Sequence, residues 1–188
     1  MPAEDSRVII HMAASLDGFI ARTDGSVDWL ETDDSFEDGE TLDPEFIAQF
    51  LKSIDCYVMG SRTYETALDF EARGFGWAYG ETPVFVLTGR ALPRTRESVE
   101  FVSGDLAVLV NERLRPNYRK IWIAGGGAIA GECLRQALAD EVAYTIAPVL
   151  IGRGIPFFRG LDCDVALHLL EVKAYKSGMV ALPHEIRR

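Results

Sequence analysis

The chain has 188 residues and a formal net charge of -10, with 48% hydrophobic and 10% aromatic residues. This size and composition predict a single globular domain over residues 1–188 with a continuous core, and they exclude a disordered chain. The acidic balance argues against a nucleic-acid partner, and no apolar run is long enough to cross a membrane. Residues 1–6 are acidic where a secretion signal would be basic, so we expect a cytoplasmic protein.

The three cysteines, Cys56, Cys133 and Cys163, are scattered among apolar neighbours. Their spacing does not match a metal site, so we expect reduced thiols in or near the core and no bound metal. Residues 28–45 are dense in aspartate and glutamate, and we expect them to form a solvated, mobile loop.

Strand patterns alternate with helix patterns along the chain. Predicted strands cover residues 7–14, 55–59, 83–87, 99–102, 121–124 and 141–150, and segments 167–175 and 179–182 predict an antiparallel pair. Predicted helices cover residues 42–52, a segment starting near 61, a short one near 106–110, and one ending at 138. In the first helix Asp43 is the expected N-cap and Pro44 the first helical residue, with Phe46, Ile47, Phe50 and Leu51 on one face. The order predicts an α/β fold whose sheet is mainly parallel with antiparallel edges.

Three of these strands end in polar, glycine-containing turns, at residues 60–63, 88–90 and 125–127. Ligands bind outside the carboxyl ends of parallel strands, and the helix starts that follow such turns favour anions. A triple glycine also suits an ordinary tight turn, but three such turns together favour a dinucleotide site. Arg62, Thr88 and Arg90 could hold a ribose phosphate, which favours NADPH over NADH.

The first strand ends in small residues, Ala13 and Ala14, followed by the turn signal Asp17-Gly18 and the bulky Ile20. Small side chains at that end would let a flat ring lie against the backbone. His11, in the same strand, is interpreted as a satisfied core residue in preference to a catalyst.

Together these segments resemble the dihydrofolate reductase-like family, and among its branches the reductase domain of bacterial riboflavin biosynthesis proteins (the RibD C-terminal domain). The resemblance is carried by ASLDGFIA (14–21) with DWL (28–30), VMGSRTY (58–64), IAGGG (123–127) and DEVAYTIAPVLIGRG (140–154). It implies a three-layer α/β/α fold around a mixed, mostly parallel sheet of about eight strands. It also implies a homodimer, for which residues 149–158 are the candidate contact surface.

The resemblance further implies that NADPH lies across the carboxyl ends of the strands. The residues expected to contact this cofactor are Ala14, Ile20, Gly60, Arg62, Thr63, Leu87, Thr88, Arg90, Gly125, Gly126, Gly127 and Ile129. The residues expected to contact the substrate are Trp29, Phe70 and Thr145. Phe70 belongs to a group with Phe75, Trp77 and Tyr79 that is either a substrate-stacking wall or a flap over the core, with the wall favoured.

The expected reaction is hydride transfer from NADPH to a C=N bond or carbonyl of a small heterocycle or ribosylamino-pyrimidine-like substrate. Asp28 is the first candidate for the proton donor and Glu45 the second, because a carboxyl with a raised pKa under a closing loop would suit that role. Asp28 is equally well explained as a helix cap or solvated loop residue. The acid and the arginine that folate reductases use have no clear counterpart here. A catalytically silent NADPH-binding module and a dihydrofolate reductase are the alternatives.

Overall fold

A mixed sheet of nine strands forms the centre of the computed structural model, which describes residues 6–188 apart from the side chain of Phe46. Residues 1–5, on which the expected cytoplasmic location partly depended, lie outside the described part. The predicted place of the Phe46 side chain on its helix lies outside it as well.

The strands and helices follow the predicted order with a few additions. The strands are β1 (Arg7–Ser15), β2 (Phe19–Ala21), β3 (Cys56–Gly60), β4 (Val84–Leu87), β5 (Val99–Val102), β6 (Lys120–Gly125), β7 (Glu141–Ala147), β8 (Ile155–Pro156), β9 (Leu167–Leu169), β10 (Lys173–Ala174) and β11 (Val180–Ile186). The helices are α1 (Pro44–Lys52), α2 (Ser61–Ala72), α3 (Leu106–Val108) and α4 (Gly127–Arg135). A short 3-10 helix covers Asp28–Leu30, and α3 continues into a π-helix over Leu109–Leu114.

The strand order of the main sheet is β10-β11-β7-β1-β6-β3-β4-β5, with β9 paired beside this path to β11. From β7 to β5 all neighbours are parallel, whereas β11 runs antiparallel to β7. The predicted α/β class with a mostly parallel sheet of about eight strands is therefore confirmed. Parallel neighbours end on one side, so β1, β3, β4 and β6 share an edge that we call the carboxyl edge.

Both faces of the central strands are buried, as expected where helices cover a parallel sheet. One face carries alternate residues of β1 and β3, such as Ile10 and Val58, and packs against α3 and α4 through Leu106 and Cys133. The opposite face carries Tyr57, Met59 and Trp122 and packs against α1 and α2. The layers are helix, sheet, helix.

The first helix begins as predicted. The Asp43 carboxylate accepts a hydrogen bond from the Glu45 N–H at 2.9 Å, and Pro44 occupies the first turn, where its missing N–H costs nothing. Asp105 caps α3 in the same way, accepting from Ala107 and Val108. These two helices therefore meet part of their terminal hydrogen-bonding requirement with their own side chains.

The acidic segment differs from its predicted state as a mobile loop. Its carboxylates are largely exposed, but its backbone is docked across the turn between β10 and β11. The Glu40 N–H donates to Ala174 at 2.8 Å, and the Lys176 N–H donates back to Glu40 at 3.0 Å. A Cβ on Gly39 would lie 2.4 Å from the Lys176 nitrogen, so only glycine permits this approach.

Several boundaries also differ from the sequence expectation. The fourth helix ends at Arg135, short of 138, and Ala137 adopts a positive φ of 51° that is incompatible with continuing the helix. The predicted strand at 167–175 is divided into β9 and β10, and β2 and β8 are too short to show a pattern. Cys56 and Cys133 are buried as predicted, whereas Cys163 is exposed.

A helix of the length and apolar character needed to span a bilayer does not occur within residues 6–188.

Candidate functional site

Two helices that lack a side-chain cap begin next to each other at the carboxyl edge. Helix α2 follows Gly60 at the end of β3, and α4 follows Gly126 at the end of β6. Both N-cap residues are glycines with no side chain to accept a hydrogen bond. The two strands are neighbours, with Met59 opposite Gly125. The first N–H groups of both helices are therefore left for another acceptor, in contrast to α1 and α3.

Close packing joins these two helix starts. A Cβ on Gly125 would lie 3.0 Å from Thr63 Oγ1, and Gly125 has a φ of +151° that favours glycine. A Cβ on Gly60 would lie 3.3 Å from Ile129 Cδ1. The structure thus brings together Gly60, Thr63, Gly125, Gly126 and Ile129, all of them named from the sequence as cofactor contacts.

The three consecutive glycines have different physical reasons for lacking a side chain. A Cβ on Gly126 would meet only Thr63 Oγ1, at 3.6 Å, and would otherwise enter open space. A Cβ on Gly127 would lie 2.1 Å from the Pro156 carbonyl oxygen, and Arg159 donates a backbone hydrogen bond to Gly127. Gly127 is therefore glycine because the end of β8 packs against it, and as the first residue of α4 it also contributes its N–H to the helix start.

The turn after β4 lies beside the start of α2, because Leu87 pairs with Gly60. The Thr88 hydroxyl accepts a hydrogen bond from the Arg90 N–H at 3.0 Å. The Arg90 guanidinium contacts Glu65 of α2 through both terminal nitrogens, at 2.9 and 2.7 Å. Arg62 is exposed, and no ion pair to its guanidinium is found within residues 6–188. The two arginines named as phosphate ligands thus differ, one paired and one not.

The position of Ala14 corrects the sequence interpretation. Ala14 is 0% exposed and belongs to the core on the α4 side of the sheet. Successive strand residues face opposite sides, so Ala13 lies on the α1 side, where it is partly exposed and opposite Thr145 in register. The small residue available to a ligand on that side is therefore Ala13. The alternation of β1 is the sequence signal that would have identified it.

His11 lies on this same side and contacts Thr145, with Nε2 at 3.2 Å from the hydroxyl oxygen. Its ring stacks on Trp122 with centroids 5.0 Å apart, and Phe50 of α1 meets it edge-on at 6.1 Å. Burial lowers the pKa of His11 to about 4, so the imidazole is neutral at pH 7. The hydrogen-bonding requirement of His11 is met within the fold, as expected. Its neutral imidazole also provides a donor and an acceptor on the α1 side of the sheet near Ala13. We call this surface, formed by His11, Ala13 and Thr145, the strand floor.

Asp28 does not meet the requirement for a proton donor. Its carboxylate is bound by Arg22 through both oxygens, at 2.7 and 3.1 Å, and the side chain is 64% exposed. The hydrogen bonds from Arg22 lower the pKa of Asp28, whereas the proposed role needs it raised. The expectation of a raised pKa is therefore wrong. Glu45 is also exposed, in the first turn of α1, and among the described residues its carboxylate has one hydrogen-bond partner, Gln49, at 3.5 Å.

Trp29, next to Asp28, is only 5% exposed, and its Nε1 has no hydrogen-bond partner among the described residues. Buried donors in native proteins are nearly always paired, so a water or a ligand is the expected acceptor.

Ile20, in β2, is partly buried against the main core.

The aromatic group around Phe70 is divided between two places. Trp77 and Tyr79 pack against the core as a flap would, whereas Phe70 contacts Phe75, whose side chain is largely exposed. Trp77 packs on Tyr64, and Tyr79 packs on Tyr57 at 4.8 Å. Phe70 lies nine residues after Ser61, about 13 Å along α2. Since α2 leads back from the carboxyl edge toward the next parallel strand, the structure does not bring Phe70 to the other site residues.

Part of the segment 149–158, the candidate contact surface, is engaged within its own chain. The Asp17 carboxylate accepts hydrogen bonds from Ile151 and Gly152, and the Phe157 N–H donates to Gly18. Of the apolar residues in this segment, Leu150 alone is largely exposed.

Comparisons with known proteins agree with this architecture. The family model described as the RibD C-terminal domain matches residues 6–181. The Bacillus subtilis (strain 168) protein YwjB is 30% identical over 183 residues, covering 97% of this chain and 99% of YwjB. A second protein of that strain, YyaP, is 23% identical over 184 residues, covering 94% and 93%.

Among solved structures, the putative riboflavin biosynthesis protein from Shewanella sp. PV-4 has a TM-score of 0.81 and 26% identity, covering 97% of this chain and 99% of that one. The Thermotoga maritima diaminohydroxyphosphoribosylaminopyrimidine deaminase/5-amino-6-(5-phosphoribosylamino)uracil reductase has a TM-score of 0.63 and 16% identity. That match covers 98% of this chain and 57% of the Thermotoga protein, and it shows the fold alone. The match of the family model over nearly the whole chain establishes that the protein belongs to the RibD C-terminal domain family.

Proposed function

We propose that this protein is a reductase that binds NADPH across the carboxyl edge and reduces a C=N bond or a carbonyl of a small heterocyclic substrate. The observation that carries the proposal is the pair of adjacent helix starts at Gly60 and Gly126, neither of which has a side-chain cap. A pyrophosphate supplies the acceptors that these N–H groups lack, and the positive ends of the two helix dipoles favour its charge.

If the pyrophosphate lies at the two helix starts, the positions of the adenosine and nicotinamide ends of the cofactor are also constrained. The turn of Leu87, Thr88 and Arg90, with Arg62, would surround the adenosine ribose and its phosphate. On the opposite side of the glycines, Ile20, Ile129 and Ala13 would contact the nicotinamide, with Ala13 in the place first given to Ala14. When bound, the cofactor supplies the hydride, while the protein orients the reactants and excludes water.

The substrate would lie on the α1 side of the sheet, over Ala13. Thr145 and His11 form a hydrogen-bonded pair there, and a neutral imidazole can donate to or accept from a heterocycle without adding charge. The unpaired Nε1 of Trp29 is a further donor for the substrate or for a water beside it. The printed name of the Thermotoga relative includes 5-amino-6-(5-phosphoribosylamino)uracil reductase, and we propose a substrate of that ribosylamino-pyrimidine class.

A catalytically silent NADPH-binding module is the second candidate. It is favoured by the state of the two carboxyls named as proton donors, since Asp28 is held ionised by Arg22 and Glu45 is exposed. If the protein is a reductase, the proton would have to come from solvent or through the polar side chains of the strand floor, His11 and Thr145.

The experiment that separates these candidates has two stages. NADPH is first titrated into the protein by calorimetry, and its oxidation is then followed by absorbance with 5-amino-6-(5-phosphoribosylamino)uracil as the probe. Binding followed by steady oxidation is the expected result. Binding without oxidation of NADPH by this probe or by simpler heterocyclic imines would favour the silent module, and absence of binding would contradict both.

We also propose that the protein is a cytoplasmic homodimer. Because part of the segment 149–158 is engaged within the chain, the apolar side chains exposed on and after β9, namely Leu167, Leu169, Leu170 and Val172, are the better candidate for the contact surface. The molar mass measured by light scattering would test the dimer, and Leu169→Glu should convert it to a monomer.

A further inference from the structure

The guanidinium of Arg90 is already engaged at the place where a cofactor phosphate would need it. Arg90 Nη1 lies 2.9 Å from Glu65 Oε2, and Nη2 lies 2.7 Å from Glu65 Oε1. This is a bidentate arrangement, the same one that an arginine uses to hold a phosphate. A phosphate oxygen pair and the Glu65 carboxylate therefore require the same two nitrogens.

Glu65 lies one turn into α2, close to both arginines of the proposed adenosine end. The hydrogen bonds from Arg90 are the largest cause lowering the pKa of Glu65, and the charge of Arg62 acts in the same direction. The carboxylate is consequently ionised at neutral pH. A second anion at this position would find both terminal nitrogens of Arg90 already hydrogen-bonded, and it would be repelled by the Glu65 carboxylate.

Both partners are accessible, with 57% of the Arg90 side chain and 40% of the Glu65 side chain exposed. An exposed ion pair is weak, so a phosphate can displace the carboxylate, but the displacement reduces the net gain from Arg90. The unphosphorylated ribose of NADH carries no such requirement, because its hydroxyls can accept from Arg90 or donate to Glu65 without displacing either.

We propose that Glu65 is a specificity-determining residue that competes with the cofactor 2′-phosphate for Arg90 and so narrows the preference of this protein for NADPH over NADH. The inference rests on the proposed function, because it assumes that the adenosine end of the cofactor reaches Arg90. It goes beyond that function because it assigns control of the ratio of NADPH to NADH affinity to the carboxylate of Glu65.

The test is calorimetric titration of NADPH and NADH into the wild type and the Glu65→Gln variant. Glutamine keeps the length of the side chain and removes its charge. We expect NADPH to bind the variant roughly tenfold more tightly, because competition and repulsion are both removed, while NADH changes by less than about twofold. The gain for NADPH should decrease at high salt, which screens exposed charges.

The chain offers a matched control on the same helix. Glu71 forms an ion pair with Arg96, with Oε2 at 2.6 Å from Nη2, near the end of α2 and away from the carboxyl edge. Glu71→Gln removes an equivalent charge and should leave the ratio of NADPH to NADH affinity unchanged. When both proteins carry Arg90→Ala, Glu65→Gln should increase NADPH affinity by less than it does in the wild type, because the repulsion is still removed but no competition for Arg90 exists.

The outcomes separate this inference from the proposed function. An unchanged or reduced NADPH affinity in Glu65→Gln, with wild-type NADPH binding intact, would overturn the competition and leave the cofactor site standing. Binding of neither dinucleotide to the wild type would overturn both. Equal gains in Glu65→Gln and Glu71→Gln would indicate a general charge effect and would also overturn the role of Glu65.

Discussion

The two halves of the candidate site, the proposed cofactor half and the proposed substrate half, are built in different ways. The cofactor half consists mainly of backbone at two helix starts, where Gly60 and Gly126 leave N–H groups without caps. The substrate half consists of side chains on the strand floor, where His11 meets Thr145. Backbone donors would suit any pyrophosphate, whereas the side chains on the strands would determine which substrate is bound.

The same difference explains why one half could be predicted from the sequence and the other only in part. Glycines that follow predicted strands placed the turns at residues 60–63, 88–90 and 125–127 at one edge of the sheet, and the structure has all three there. Which residues form the strand floor depends on which face of the sheet each strand residue occupies. An error of one residue in assigning the faces moves every side chain to the opposite face. Ala14, which the resemblance implied as a cofactor contact, is buried, whereas its neighbour Ala13 is partly exposed on the other face.

The least predictable features depend on contacts between residues distant in the chain. Arg22 holds Asp28 ionised, and Glu65 occupies Arg90, but neither pairing has a sequence pattern. The position of Phe70 likewise follows from the direction of α2, not from the aromatic composition around it.

The largest expected effect concerns the glycine that serves packing. Gly127→Ala places a Cβ 2.1 Å from the Pro156 carbonyl oxygen, which is backbone and cannot move freely. We expect the free energy of unfolding to fall by about 3 kcal/mol, at the upper end of the range for overpacking. Urea unfolding followed by circular dichroism measures this loss, and unchanged stability would contradict the packing role.

The next effect concerns the floor of the substrate half. The pKa of His11 is about 4 in the folded state and near 6.5 unfolded, so the unfolded chain binds more protons between these values. This contribution makes the free energy of unfolding decrease as pH falls from 6.5 to 4, by up to about 3 kcal/mol.

His11→Gln should remove that contribution, so the stability difference between wild type and variant should vary with pH in this window. Parallel curves for His11→Gln would show that the imidazole is not held neutral by the fold.

A somewhat smaller effect is expected for the glycine that faces the ligand space. In Gly126→Ala the added Cβ would lie 3.6 Å from Thr63 Oγ1, with no other described atom within 4 Å. The φ of -88° suits alanine, so the fold should be retained. The added methyl group would obstruct the helix start and weaken NADPH binding roughly thirtyfold, or about 2 kcal/mol. Calorimetry measures this change, and unaltered affinity would separate the glycines from the cofactor.

The smallest effect is expected at the exposed carboxylate. Asp28→Asn removes a solvent-exposed ion pair with Arg22, and such pairs contribute little. The rate of NADPH oxidation with 5-amino-6-(5-phosphoribosylamino)uracil should remain within about twofold of the wild type across neutral pH. A loss of a hundredfold or more would restore Asp28 as the proton donor.

The most direct measurement of the central claim is a crystal structure of the protein with NADPH bound. The account predicts that the pyrophosphate oxygens lie about 3 Å from backbone nitrogens in the first turns of both α2 and α4, beside Gly126 and Thr63. Density for NADPH at another edge of the sheet, or a pyrophosphate that touches neither helix start, would contradict it.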